Sequence, residues 1–241
     1  MMREHTEIYR DFTNHLLRLG TFPAEWKEAT VILIHKPGKP VENPSSYRPI
    51  CLLNTISKSF EKIINNRLQQ ELEQKNLLSD SQYGFRKGRS TIQAIERLLK
   101  TPRQELATPR HKRQLVLIVL LDIRNAFNSM SWRALKESIS NLDISQYLEG
   151  ILNSYLENRT IRCEDFRYEM SAGAPQGSML APTLWNIGYD EVVRAELPEG
   201  ASIVAYADDL ALVARARNED ILETITNLAL EKYTVSSSNK D

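Results

Sequence analysis

Cysteine is scarce: the 241-residue chain holds only Cys51 and Cys163, too few for a disulfide scaffold and not spaced as a metal-ligand pair. Long apolar runs are missing as well. The longest aliphatic stretch, Leu115–Leu121, is seven residues, whereas crossing a bilayer takes about 20. From Arg3 onward the N-terminus is polar and has no signal-peptide core. A reduced, intracellular chain with no membrane partner is therefore expected. Repeats, low-complexity tracts and long linkers are also absent. Composition is ordinary at 41% hydrophobic and 26% charged residues, which excludes disorder and collagen and suggests one large domain or two subdomains sharing a core.

Net charge is absent too, with 31 basic and 31 acidic residues, but the zero hides a division. Residues 1–113 carry 20 Lys and Arg against 12 Asp and Glu, while residues 114–241 carry 11 against 19. A +8 segment followed by a −8 segment points to a polyanion-binding part beside an acidic part.

Periodicity predicts mixed elements. Asn54 or Thr55 caps a helix to about Leu72, with Ile56, Phe60, Ile63, Ile64 and Leu68 on its inner face. Ser90 and Gln93 have capping-box spacing before Ile92, Ile95, Leu98 and Leu99, and Pro102 is expected to stop that helix. Ser131 opens a further one, with Trp132, Leu135, Ile139 and Leu142 inward. Helices are also predicted over 181–195 and 220–230, the latter with Ile221, Ile225 and Leu228 in phase. Strands are expected at 31–35, 115–121, 161–168, 202–206 and 210–214. Without regular βαβ alternation the class reads α+β.

Three carboxylates stand out. Asp122 ends the most apolar strand, and Asp208-Asp209 occupies the tip of a hairpin apolar on both sides, Ser202–Ala214. Like charges ~4 Å apart repel by roughly 4 kcal/mol at an effective dielectric near 20. A divalent cation offsets that repulsion, and oxygen-only ligands favour Mg²⁺. Convergence of the three would suit two-metal phosphoryl transfer, which polymerases and nucleases share.

Three blocks in order narrow the choice. Leu121-Asp-Ile-Arg-Asn-Ala-Phe-Asn-Ser-Met-Ser-Trp132, Gly173-Ala-Pro-Gln-Gly-Ser-Met-Leu-Ala-Pro182 and Tyr206-Ala-Asp-Asp209 resemble motifs A, B and C of reverse transcriptases. Phe22–Ala29, His35–Pro40, Ser45–Asn54 and Ser81–Thr91 extend the resemblance to non-LTR, LINE-type retrotransposon enzymes, with arthropod elements closest in look. It covers roughly residues 15–232.

That resemblance implies a right-hand polymerase fold and an RNA-directed DNA polymerase working with RNA template, DNA primer and dNTPs. Fingers are expected over 1–113 (with an N-terminal extension to about 30), palm over 114–145, a fingers/palm connection over 146–172 and a second palm part over 173–241. Asp122 and Asp208 would hold two Mg²⁺ ions, or Mn²⁺ in their place, with Asp209 supporting them. Phe127, five residues past Asp122, corresponds to the aromatic that bars a 2′-hydroxyl. Gln176, Arg48, Lys36 and Lys39 are expected on the nucleotide. Arg86, Lys87, Arg89, Tyr206 and Gly177 are expected along nucleic acid.

Past Leu230 the match fades, so the thumb, like the endonuclease region of a longer polyprotein, is expected to be missing. Nuclear localisation is implied by the family only. Two departures, Met179 and Ala181, stand where relatives carry valine and glycine; a positive φ at 181 would strain alanine. The rival readings are a non-catalytic retroelement remnant that at most binds nucleic acid, and an unrelated two-metal nuclease.

Overall fold

A computed structural model describes residues 2–123 and 126–235; Arg124 and Asn125 of the motif A block lie outside the described residues. The elements are α1 (Met2–Leu19), β1 (Glu28–His35), β2 (Tyr47–Leu52), α2 (Thr55–Gln74), α3 (Thr91–Ala107), β3 (Leu115–Asp122), α4 (Ala126–Ser129), α5 (Trp132–Ser140), α6 (Gln146–Leu156), β4 (Thr160–Cys163), β5 (Phe166–Glu169), α7 (Ala181–Val193), β6 (Ala201–Tyr206), β7 (Asp209–Ala216) and α8 (Glu219–Val235). Helices and two sheets mix as expected. No described helix is long and apolar enough to cross a membrane. Contacts group the chain into two compact units, residues 1–77 with 127–184 and residues 78–126 with 185–241.

The first unit carries the sheet β2-β1-β4-β5. Ala29, Cys51 and Leu53 form its buried side with Val31 and Ile161. A helical core of Phe60, Ile64, Leu68 and Leu72 from α2 and Leu148, Ile151, Leu152 and Tyr155 from α6 is almost wholly shielded from water. Phe22 fills its centre, edge-on to Tyr155 at 5.1 Å and to Trp26 at 6.0 Å. Such pairs are worth about 0.5–1.5 kcal/mol beyond their buried area. Asn54 caps α2, its Oδ1 accepting from the N–H groups of Ile56 and Ser57. Gly20, at φ +62°, ends α1: its N–H bonds to Leu17 O and that of Thr21 to Leu16 O, the paired bonds of a Schellman stop.

In the second unit β3-β7-β6 form an antiparallel sheet. Leu121, Ile203, Ala205 and Leu210 point to one face, where Val193, Leu197, Tyr189 and Tyr233 cover them. The alternate residues Leu120, Asp122, Val204, Tyr206, Asp209 and Ala211 point to the other, since strand side chains alternate. Ala94, Ile95 and Leu98 of α3 line a cavity of about 400 Å³ over that second face.

Several expectations fail locally. α3 runs through Pro102 to Ala107, although Leu98 O thereby loses its i+4 donor. Its buried contact is the small Ala94, while Ile92 and Ile95 are more than half exposed. Ile56 is likewise exposed, because it lies in the first, capped turn of α2. The strand predicted over 161–168 is the hairpin β4–β5, reversing at Glu164 with φ +53°. α8 turns Thr226 and Ala229 inward and leaves Ile221 and Leu228 exposed, because small side chains let it approach the sheet.

Candidate active site

The carboxylates sit in the second unit. Asp122, last residue of β3, pairs with Asp209, first residue of β7, and Asp209 pairs with Tyr206, last residue of β6. Register therefore brings Asp122, Asp209 and Tyr206 side by side at one end of the sheet. Asp208 lies in the two-residue turn Ala207-Asp208 between β6 and β7. Asp122 and Asp209 are exposed and Asp208 half-buried. Among the described residues, none of the three carboxylates has a hydrogen-bond or ion-pair partner. Burial foremost, helped by Tyr233 and the charge on Asp208, pushes the Tyr189 hydroxyl well above the usual tyrosine range.

What fixes the turn was not singled out from sequence. Ala207 adopts φ +59°, a left-handed conformation costly for any residue with a Cβ. Gln82, 2% exposed, holds it from both sides. Its Nε2 donates to Ala207 O at 3.3 Å, and its Oε1 accepts from Ala207 N at 3.2 Å and from Gly84 N at 2.9 Å. Trp185 Nε1 adds a bond to Ala207 O at 3.0 Å. A Cβ on Gly84 would lie 2.1 Å from Ala207 N, so only glycine fits. Residues 81–83 also pair with β6, through Ala205 N to Ser81 O and Tyr83 N to Ala205 O, each 2.8 Å.

A second cluster belongs to the first unit. Ala174 N bonds to Phe127 O at 2.8 Å and Gly173 N to Met130 O at 2.7 Å. Trp132 Nε1 donates to Gly173 O at 2.6 Å. A Cβ on Gly173 would lie 2.8 Å from Asn128 O. Phe127, half-buried, is thus tied by its backbone to the segment leading into Pro175-Gln176-Gly177. Gln176 is exposed, and its carbonyl accepts from Cys51 N at 2.8 Å, on the free edge of β2. Gly177, expected to clear room for nucleic acid, clears room for protein instead: at φ +128° a Cβ would lie 2.6 Å from Cys51 O. Met179 is exposed, and Ala181 opens α7 without positive φ, so the feared strain does not arise.

The basic residues divide. Arg86, expected along the template, is buried, and its Nη1 donates to Ser79 O at 2.6 Å and Gln82 O at 3.4 Å. It supports the Gln82 turn. Arg89 pairs with Asp80 at 2.6 Å and lies over the Tyr83 ring at 5.2 Å. Lys36 donates to Ser45 O at 3.0 Å. Lys39, Arg48 and Lys87 are exposed.

Among the described residues, no group of three or more His, Cys, Asp and Glu side chains is drawn together closely enough to hold a metal ion by itself. A Mg²⁺ donor set would need one or two carboxylates, its other ligands coming from water and substrate phosphate. The unpartnered carboxylates, with the neutral Gln82 amide in direct contact with their turn, fit such an ion.

Comparison with known proteins follows the same blocks. Residues 34–237 match the family described as reverse transcriptase (RNA-dependent DNA polymerase). The chain is 36% identical over 210 residues to a probable RNA-directed DNA polymerase from transposon BS of Drosophila melanogaster, covering 83% of this chain and 23% of that protein. It is 34% identical over 213 residues to the corresponding protein from the X-element of the same fly, covering 86% and 23%. It therefore spans about a quarter of the length of these relatives. In structure it is similar to apo telomerase from Candida tropicalis truncated from the C-terminal domain, with TM-score 0.62 at 16% identity over 92% of this chain and 51% of that one.

Proposed function

We propose that this chain, which belongs to the reverse transcriptase family and groups with non-LTR retrotransposon polymerases, adds deoxynucleotides to a primer 3′-hydroxyl on an RNA template. The observation carrying this reading is the register Asp122↔Asp209↔Tyr206 with Asp208 in the adjoining turn, which gathers the acidic residues of motifs A and C at one sheet end. The unit holding them is read as palm, and the sheet of β1, β2, β4 and β5 as fingers.

Asp122 and Asp208 would hold Mg²⁺, with Asp209 beside them. When bound, the ions supply charge neutralisation for the attacking hydroxyl and the triphosphate. The primer 3′-hydroxyl loses its proton to water as its oxygen attacks the α-phosphorus, the bond to the β-phosphate breaks and pyrophosphate leaves. The chain's own part is positioning and electrostatics. Phe127 bars a 2′-hydroxyl, Gln176 lies against the incoming nucleotide, Tyr206 adjoins the primer end, and Arg48, Lys39 and Lys87 meet phosphate. Phosphate contacts make binding fall with salt.

Primer extension on an RNA template, with deoxy- and ribonucleotides compared, tests this. Deoxynucleotide extension that disappears on chelation and falls by about 10³ in Asp208→Asn is expected, a loss of the size seen when one electrostatic stabiliser is removed. Template binding without extension by the wild type would make the chain a non-catalytic nucleic-acid binder.

A further inference from the structure

A charged residue that no motif names lies behind the Gln176 turn. Glu61 of α2 is 0% exposed, yet among the described residues no lysine or arginine bonds to its carboxylate. Its Oε2 accepts from Ser178 Oγ at 2.7 Å and from Met179 N at 2.8 Å, and its Oε1 from Ser57 Oγ at 3.2 Å. Ser178 Oγ in turn accepts from Tyr155 OH at 2.7 Å, Leu180 N at 3.1 Å and Ala181 N at 3.3 Å. The carboxylate therefore stands at the N-terminus of the 13-residue α7, where the helix dipole favours negative charge.

Compensating positive charge lies across the same ring. Arg159, also 0% exposed, is stacked over Tyr155 with its Cζ 4.2 Å from the centroid. Glu61, Ser178, Tyr155 and Arg159 form a buried line from α2 to the start of β4. Below Glu61, Asn65 and Gln69 both bond to Thr183, at 2.6 and 3.1 Å, so one stripe of α2 grips the first turn of α7. On the opposite side of the turn, Cys51 N holds the Gln176 carbonyl.

From this geometry we infer that Glu61 is a positioning residue for the nucleotide. It acts through Ser178 and Met179 to fix the Pro175-Gln176-Gly177 turn, so that Gln176 is presented in one conformation. The inference rests on the reading of Gln176 as a nucleotide contact. Its content is that a buried carboxylate, far from the reacting atoms in sequence and role, sets affinity for the incoming deoxynucleoside triphosphate. Removing it leaves the Ser178 hydroxyl and Met179 N–H without their acceptor, and the turn becomes an ensemble.

The test uses the full chain with Glu61→Ala, Glu61→Gln and Ser178→Ala. Glu61→Ala is expected to raise KM for the deoxynucleotide about tenfold while kcat stays within about threefold, the pattern of lost substrate binding. Glu61→Gln keeps an oxygen for Ser178 and Met179 and should recover most of that loss. In a Gln176→Ala background the Glu61→Ala effect on KM should disappear. Persistence of the full effect there, or a fall in kcat with KM unchanged, would overturn the inference. Ser178→Ala, a smaller truncation, should reproduce the KM effect if Glu61→Ala fails to fold. Should the wild type not extend a primer, the polymerase reading fails separately. Amide exchange then decides the positioning claim: it requires faster exchange over residues 176–182 in Glu61→Ala or Ser178→Ala with α6 unchanged, and equal exchange would refute it.

Discussion

Two turns of this molecule solve the same problem with opposite electrostatics. In the second unit Gln82 pins Ala207-Asp208; in the first, Glu61 pins Gln176-Gly177 through Ser178. Each pin is a nearly fully buried polar side chain from an earlier segment, bonded to backbone or hydroxyl groups of the turn, with a glycine allowing close approach. The difference is charge. Beside Asp208 and Asp209, where carboxylates already repel, the pin is a neutral amide. Beside Gln176, at a helix N-terminus, it is an anion. The lesson is that a turn already carrying carboxylates is braced by a neutral group, whereas a turn at a helix N-terminus can be braced by charge.

Gly84→Ala should break the first turn most severely. A Cβ 2.1 Å from Ala207 N cannot be accommodated by a rotamer change, so a loss of about 3 kcal/mol or more is expected from overpacking against backbone. Urea unfolding measures the stability, and extension activity should fall with it.

The second turn has a pH signature of its own. Burial chiefly pushes the Tyr155 hydroxyl from its ordinary value up to about 12, with Glu61 adding to the rise and Arg159 and the Ser178 bond opposing it. Below pH ~10 the tyrosine is protonated folded or unfolded and contributes no pH dependence. Between about 10 and 12 the folded chain keeps a proton that the unfolded chain has lost, so stability falls as pH rises, by up to about 3 kcal/mol. Tyr155→Phe should remove that share of the alkaline loss, read as the difference between wild-type and variant urea midpoints at pH 9 and pH 12. Parallel curves would contradict it.

Replacing the neutral pin by an apolar isostere, Gln82→Leu, strands the N–H groups of Ala207 and Gly84. About 2 kcal/mol is expected, from the desolvation of unpaired donors, with exchange at the Ala207 amide accelerating before global unfolding. The smallest effect concerns Phe127. Phe127→Ala should raise ribonucleotide use relative to deoxynucleotide by about tenfold, about 1.4 kcal/mol of discrimination, in single-nucleotide extension.

The carboxylate end was legible because its signals are local: an aliphatic run closing on Asp122, and a hairpin whose two aspartates mark its tip. The brace was not. Glu61, Asn65 and Gln69 recur at i, i+4 and i+8 on α2, a period visible in sequence, yet polar residues at helix spacing ordinarily mean a solvated face. The bracing role of Gln82 gave no local signal, because the turn it holds, at Ala207, lies 125 residues away. β2 was hidden by Pro49, which interrupts the strand pattern and is tolerated because β2 is an edge. The apolar phases of α3 and α8 misled since close helix–sheet approach selects Ala94, Thr226 and Ala229, not the larger residues beside them.

The central strand β7 is buried along Leu210–Ala214 on both of its faces. Hydrophobicity therefore cannot tell one alignment of this strand from its neighbour: slipped by a single residue, it would remain as greasy and nearly as compact. What such a slip would change is the side of the sheet on which Asp209 emerges, leaving Asp122 without its neighbour. Gln82 and Gly84 fit one turn only, the one that keeps Asp122 and Asp209 neighbours.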